Sequence, residues 1–146
     1  MQLRFSSMSE VQQAAIRFVN FFVKESHIIL TEQGEFSIKV NFTPKGYIFK
    51  ALNQFHLELN VEVIEEANKF NIQVKTVSIF DYDQGAEIKD YTNSLFLVNA
   101  PAIAFPYIRA YVSNLTTQSG LFTVTLPTFN LTSIGNNLKT SMQVIE

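Results

Sequence analysis

Residues 55–63 read FHLELNVEV and carry the clearest periodicity in the chain. Apolar and polar side chains alternate strictly, which is the pattern of a strand with one buried and one solvated face. The apolar set is Phe55, Leu57, Leu59, Val61 and Val63, and the polar set is His56, Glu58, Asn60 and Glu62. This segment predicts a half-buried β-strand and sets the period for the surrounding sequence.

The same alternation extends to both sides of this strand. Segments 36–42 and 70–74 alternate cleanly, whereas a strand around Ala14–Glu25 carries apolar residues on both faces. Pro44 and Gly46 predict a turn or crossover after the second strand. The alternation slips at Thr76–Val77, which predicts a bulge in the fourth strand. Together these segments predict a four-stranded antiparallel meander.

The second half of the chain favours helices. Asn99 is a candidate N-cap, Pro101 fits the first helical turn and Gly120 predicts the end of the helix. Pro106 removes a backbone donor inside this helix and predicts a kink. A shorter amphipathic helix is predicted over Leu131–Val144.

Strands followed by helices indicate an α+β fold. We predict a four-stranded antiparallel sheet with two C-terminal helices packed on one face. The chain has 146 residues, the size of one ordinary domain, and contains no repeat or linker, so residues 1–146 are interpreted as a single domain.

The composition argues against an enzyme. The chain has no cysteine, which excludes thiol nucleophiles, disulfides and Cys-ligated metal sites. Its five glycines are too widely spaced for a phosphate-binding loop. His27 and His56 lie far apart and have no Cys partners, and no nucleophile–base–acid motif is present. We predict no catalysis, no metal and no cofactor.

Charge and hydropathy restrict the predicted partners and location. The net charge is −2 and the basic residues are scattered, so nucleic acid is not a predicted partner. The most apolar stretch, 95–108, is interrupted by Pro101 and Pro106 and is too short for a membrane span. The N-terminus lacks the pattern of a signal peptide, so we predict a cytoplasmic protein without membrane insertion.

Fourteen phenylalanines exceed what one small sheet and two helices need for a core. One interpretation is an oligomer whose copies pack against one another. A second is an exposed apolar groove for a partner or an extended chain. From the residues alone, both interpretations stay open.

Residues 102–122, AIAFPYIRAYVSNLTTQSGLF, and 126–131, LPTFNL, resemble the SecB family of export chaperones. The family pattern is an F-P-Y-A-R helix, a glycine, an F/L-P-x-L-x-L segment and a last helix. The matching positions here are Phe105, Pro106, Tyr107, Arg109, Gly120, Phe122, Pro127, Asn130 and Leu131. The upstream strands match the family in layout.

This resemblance implies a holdase chaperone that binds unfolded polypeptides without ATP, in hydrophobic grooves, and delivers them to the SecA motor for export. It also implies a homotetramer, a dimer of dimers with long helices between two eight-stranded sheets. By the family layout, the client-binding residues are Ile38, Val40, Phe42, Tyr47, Phe122, Phe129, Leu131 and Leu138. The oligomer contacts are Phe18, Phe22, Phe105, Tyr107 and Tyr111, and Glu25 is the motor-docking residue.

The sequence departs from the family on the predicted motor-docking face. Asn71 and Gln73 stand where an apolar and an acidic residue are expected, and lysines make this face mixed rather than negative. Three hypotheses follow. The chain is a general export chaperone, a relative specialised for a restricted client such as an antitoxin, or an apolar-ligand carrier or structural oligomer.

Overall fold

The structure is a computed structural model that describes residues 15–32, 34–83 and 95–146. Five strands and two α-helices are present in the described residues. They are β1 (Ile16–Leu30), β2 (Ile38–Phe49), β3 (Gln54–Glu65), β4 (Phe70–Tyr82), α1 (Ala100–Gln118), α2 (Thr132–Thr140) and β5 (Met142–Ile145). A 3₁₀ turn, Lys50–Leu52, joins β2 to β3, and a π-helical turn, Leu95–Asn99, leads into α1.

The strands form one mixed sheet in the order β1-β4-β3-β2-β5. The four long strands are antiparallel neighbours, as the period-two alternation predicts. The fifth strand pairs in parallel with β2 through residues 46–49. The predicted four-stranded sheet is therefore correct for its antiparallel part and wrong about the total number of strands.

The bulges lie in β1 and not in β4. Along β1 the register with β4 shifts between Phe18 and Asn20 and again between Val23 and Glu25, while β4 pairs with β3 without a shift. Each extra residue moves the following side chains to the opposite face of the sheet. The two shifts explain why β1 carries apolar residues at both parities.

The β2 strand continues through the predicted turn at Pro44 and Gly46. Proline lacks a backbone donor, but at Pro44 only β3 pairs with β2, because β5 begins alongside Gly46. A Cβ atom at Gly46 would lie 2.3 Å from the Met142 sulfur and 2.9 Å from the Phe55 ring. Glycine at this position therefore allows β5 to pack against the sheet.

The helices agree with the prediction in order but not at every boundary. Asn99 directly precedes α1, as predicted for the N-cap, but its backbone is helical and its side chain makes no capping hydrogen bond. Pro101 lies in the first turn, and the helix ends just before Gly120, whose φ is +78°. The second helix ends at Thr140, and the residues predicted to continue it form β5 instead.

One face of the sheet, here called the inner face, packs against the helices and holds the core. The alternating apolar residues of β3 and their β4 neighbours are buried there. Helix α1 contributes Ala104, Phe105, Ile108 and Val112 to the same cluster. The opposite face is called the outer face. Only side chains on the same face of the sheet can line one binding surface.

Candidate functional site

The first aromatic group on the inner face joins β2, α1 and the segment that follows α1. The Phe42 ring lies 5.9 Å from the Phe105 ring and 5.0 Å from the Phe129 ring, and Phe105 and Phe129 lie 5.8 Å apart. All three pairs are edge-to-face, the arrangement that aromatic quadrupoles favour. We call Phe42, Phe105 and Phe129 the helix cluster.

The second aromatic group lies where the β1–β2 connection meets the end of α1. The Phe36 ring is 5.4 Å from Phe70 and 5.3 Å from Phe122, and Phe70 and Phe122 are 5.8 Å apart. We call these three residues the crossover cluster. Phe122 is 48% exposed, and an open pocket beside it is lined by Leu30, Gly34, Phe36, Gly120, Leu121 and Phe122.

The two clusters lie along the same side of the sheet. Phe36 and Phe42 are six residues apart, which is about 20 Å in an extended chain at about 3.3 Å per residue. Ile38 and Val40 lie between them on the same face of β2, and neither is fully buried. We call this row of side chains, from the crossover cluster to the helix cluster, the aromatic strip; Phe70 and Phe105 are its buried members.

The segment after α1 is held back against that helix. The Val124 backbone N–H donates to the Thr116 hydroxyl at 3.0 Å, and the Ser113 hydroxyl donates to the Val124 carbonyl at 3.1 Å. Val124 and Leu126 are buried between these contacts. The segment therefore places Phe122 at one end of the aromatic strip and Phe129 at the other.

Seven of the eight predicted client-binding residues lie on this side of the molecule and one, Tyr47, does not. Ile38, Val40, Phe42, Phe122 and Phe129 belong to the aromatic strip, and Leu131 packs beside it against the core. Leu138, a residue of α2, is on the same side but is fully buried and forms part of the core. Tyr47 points to the outer face, because its neighbours Gly46 and Ile48 face inward.

Tyr47 belongs to a mixed group on the outer face. Its hydroxyl donates to a Glu58 carboxylate oxygen at 3.4 Å, and Lys24 pairs with the same carboxylate at 3.1 Å. Partial burial and the negative charge of Glu58 raise the pKa of the Tyr47 phenol. Nearby, the Phe49 ring lies 4.4 Å from the His56 ring, and burial lowers the pKa of His56.

Glu25, the predicted motor-docking residue, lies exposed on the outer face with two basic neighbours. Its carboxylate is 3.4 Å from the Lys75 ammonium and 3.6 Å from the His27 ring. The Lys75 charge lowers the pKa of Glu25. The carboxylate is thus already partly neutralised, which fits the mixed charge of this face.

The predicted oligomer residues lie in three places: at the contact between β1 and α1, on the outer face, and in the helix cluster. Phe18 stacks on Tyr107 at 4.8 Å between ring centroids, and Tyr107 is 45% exposed. The Tyr111 hydroxyl donates to Ser26 at 3.0 Å and so fixes α1 against β1. Phe22 is exposed on the outer face, whereas Phe105 is buried in the helix cluster.

The helical segment Leu95–Gln118 is long and apolar enough to cross a membrane. Ala104, Ile108 and Val112 on this segment are nevertheless fully buried against the sheet, which is the environment of a core helix. On the exposed side Val98, Ala102, Pro106 and Ala110 recur every fourth residue. That spacing places them on one uncharged face of the helix.

Two residues of the aromatic strip were missed at the level of sequence. Phe36 and Phe70 are the first apolar residues of alternating segments, and this position alone suggests only the ends of strands. One signal could have identified the crossover cluster. Phe36 and Phe70 lie at the ends of predicted strands, and Phe122 follows the helix-terminating glycine closely. No group of three His, Asp or Glu suited to a metal ion occurs in the part of the chain described here.

Comparison with known proteins agrees with this architecture. Residues 6–139 match the family model described as preprotein translocase subunit SecB. The chain belongs to the SecB family. A protein-export protein SecB from Anaplasma phagocytophilum is 29% identical over 72 residues, which are 48% of this chain and 46% of that relative. An uncharacterized protein of Methanocaldococcus jannaschii is 25% identical over 141 residues, 90% of each chain.

A solved structure shares the fold of this SecB-family chain. It is a SecB-like chaperone from Mycobacterium tuberculosis in complex with a ChAD peptide from an antitoxin. The TM-score is 0.68 at 16% identity, and the match covers 80% of this chain and 88% of the other. The predicted family resemblance is thereby confirmed.

Proposed function

We propose that this protein is an ATP-independent holdase chaperone that binds unfolded polypeptide segments along the aromatic strip. The observation that carries the proposal is the pair of aromatic clusters on one side of the sheet, with Ile38 and Val40 between them and Phe122 half exposed. Hydrophobic burial is non-directional and scales with area, so such a surface accepts many sequences. Membership of the SecB family supports a chaperone role.

An aggregation assay tests the holdase proposal. A reduced, unfolded protein is diluted into buffer with and without the chaperone, and light scattering is followed in the absence of ATP. We expect suppression at near-stoichiometric ratios, because each client needs its own binding surface. Unchanged aggregation together with tight fatty-acid binding would overturn the proposal in favour of an apolar-ligand carrier.

A second candidate is a chaperone specialised for a restricted client such as an antitoxin. The fold match to a SecB-like chaperone holding an antitoxin peptide favours this candidate. The paired carboxylate of Glu25 favours it too, because an acidic docking site for an export motor is weakened by the Lys75 charge. Saturable binding to the SecA motor would support the general export role, and its absence would support the specialised one.

We also propose a homotetramer built as a dimer of dimers. Strand β1 is long and, within the described residues, pairs only with β4, so we propose that a second copy pairs along its outer edge. The uncharged exposed face of α1, with Tyr107 beside it, suits the contact between two dimers. Phe18, Phe22 and Tyr111 lie near these surfaces, whereas buried Phe105 is more suited to the helix cluster.

A further inference from the structure

The charge distribution singles out Arg109. Between Asp90 and Lys139 the sequence contains one charged residue, and it is Arg109. Helix α1, the segment after it and most of α2 are therefore uncharged apart from this guanidinium. Its position beside the aromatic strip makes it the local source of positive potential for anything that lies along that surface.

The guanidinium is held in place, and no carboxylate of the described residues pairs with it. Its central carbon lies 5.0 Å from the centroid of the Phe105 ring, within the range of a cation–π contact. One terminal nitrogen donates to the Thr128 hydroxyl at 3.4 Å, which is long for a hydrogen bond. The buried Nε finds no acceptor, and Arg109 takes part in none of the ion pairs found among the described residues.

A partly buried cation without a counter-ion attracts a carboxylate, and the planar fork of arginine matches carboxylate geometry. We propose that Arg109 is a specificity-determining residue that binds an acidic side chain of the client. This inference rests on the proposed function, since it assumes an extended polypeptide on the aromatic strip.

The geometry fixes where the acidic residue should stand. A client aromatic side chain that packs on the helix cluster lies near the guanidinium, because Phe105 contacts both Arg109 and the other two rings of that cluster. In an extended chain, side chains two residues apart share a face at about 6.5 Å, whereas adjacent side chains point to opposite faces. The carboxylate should therefore lie two positions from the anchoring aromatic residue.

Two isomeric peptides test this inference by fluorescence anisotropy. Both are amidated and carry one central Phe and two Glu. In the first peptide the Glu residues occupy positions −2 and +2 from the Phe, and in the second they occupy −1 and +1. Their charge and composition are identical, so only the placement of the carboxylates differs. We expect the first peptide to bind about tenfold more tightly, as for one charge-assisted contact, and the difference to shrink as salt rises.

Variants of Arg109 identify the source of the preference. R109Q should reduce the ratio of the two affinities to about one, R109K should retain part of it because the charge remains, and Lys139→Gln should leave it unchanged. Circular dichroism checks that each variant is folded. Equal affinities in the natural protein, or a preference that survives R109Q, would overturn the role of Arg109. If neither peptide binds, nor a peptide with Gln in place of Glu, the proposed function itself fails.

Discussion

The two faces of the sheet differ in how much of each is covered by other elements of the chain. On the inner face the alternating residues of β3 are closed off by helices α1 and α2, and Phe55 is fully buried between Phe80 and Phe96. On the outer face no described helix covers the sheet, and Phe22 is 41% exposed beside ion pairs such as Lys24–Glu58. Hydrophobic residues on the two faces therefore have different energetic roles.

The contrast also separates phenylalanines that stabilise the fold from those available for binding. Inner-face rings in β3 and β4 are saturated by neighbours, whereas Phe122 stands at the open end of the aromatic strip on the same side. Phe22 is similarly exposed but lies on the opposite face. Phe55, Phe122 and Phe22 thus form a matched set for experiments.

The largest expected effect is on stability. Phe55→Ala should lower the free energy of unfolding by about 3–5 kcal/mol, because it removes a fully buried ring and leaves a cavity in the core. Phe22→Ala should cost about 1 kcal/mol or less, since much of its ring stays in water in the folded state. Urea denaturation measures both values. Equal losses would mean that a second copy or another partner covers the outer face.

The sequence predicted those parts of the fold in which side-chain period and strand pairing agree. Strand β3 alternates strictly and pairs with β4 without a shift, so its alternation identified the buried face directly, whereas the bulge predicted at Thr76–Val77 of β4 is wrong. In β1 two extra residues reverse the alternation, and only the pairing with β4 shows at which positions they lie. The helix predicted over Leu131–Val144 extends too far, into residues 142–144, because the glycine contact that allows β5 to form is distant in sequence.

The candidate site was predictable to a similar extent. Ile38, Val40 and Phe42 follow from the alternation of β2 and share the expected face. Tyr47 was assigned to the same surface because Pro44 and Gly46 predicted a crossover there, but β2 continues and directs Tyr47 outward. Phe36 and Phe70 become neighbours only when the β1–β2 connection meets the β3–β4 turn, which is a tertiary event.

A smaller effect, on client binding, sharpens the comparison between faces. Phe122→Ala should weaken binding of an unfolded model peptide about tenfold, because it removes an exposed aromatic contact from the aromatic strip. Phe22→Ala, with similar exposure on the other face, should leave the affinity unchanged. Fluorescence anisotropy measures the affinity, and light scattering measures whether Phe22→Ala, near the proposed oligomer surfaces, also changes the oligomer. Weaker binding by Phe22→Ala alone would move the binding surface to the outer face.

The smallest expected effect is the pH dependence contributed by His56 on the outer face. Its ring packs against Phe49 and contacts Gln54 at 3.1 Å, with Glu58 and Lys24 nearby, and burial lowers its pKa below the ordinary value near 6.5. The unfolded chain therefore takes up the proton first as the pH falls. This contribution to stability is complete above pH 6.5, declines as the pH drops below it, and stops changing below the pKa of the folded state.

Two measurements check this prediction. An NMR titration should place the pKa of His56 below 6.5 in the folded protein, and Phe49→Ala should raise that pKa by exposing the ring to water. In urea denaturation, His56→Gln should reduce the loss of stability between neutral pH and pH 5. A folded-state pKa above 6.5 would reverse the sign and would show that the Glu58 carboxylate, rather than burial, governs this ring. The outer face would then be more negative than its ion pairs indicate. It would resemble more closely the acidic docking surface predicted from the family.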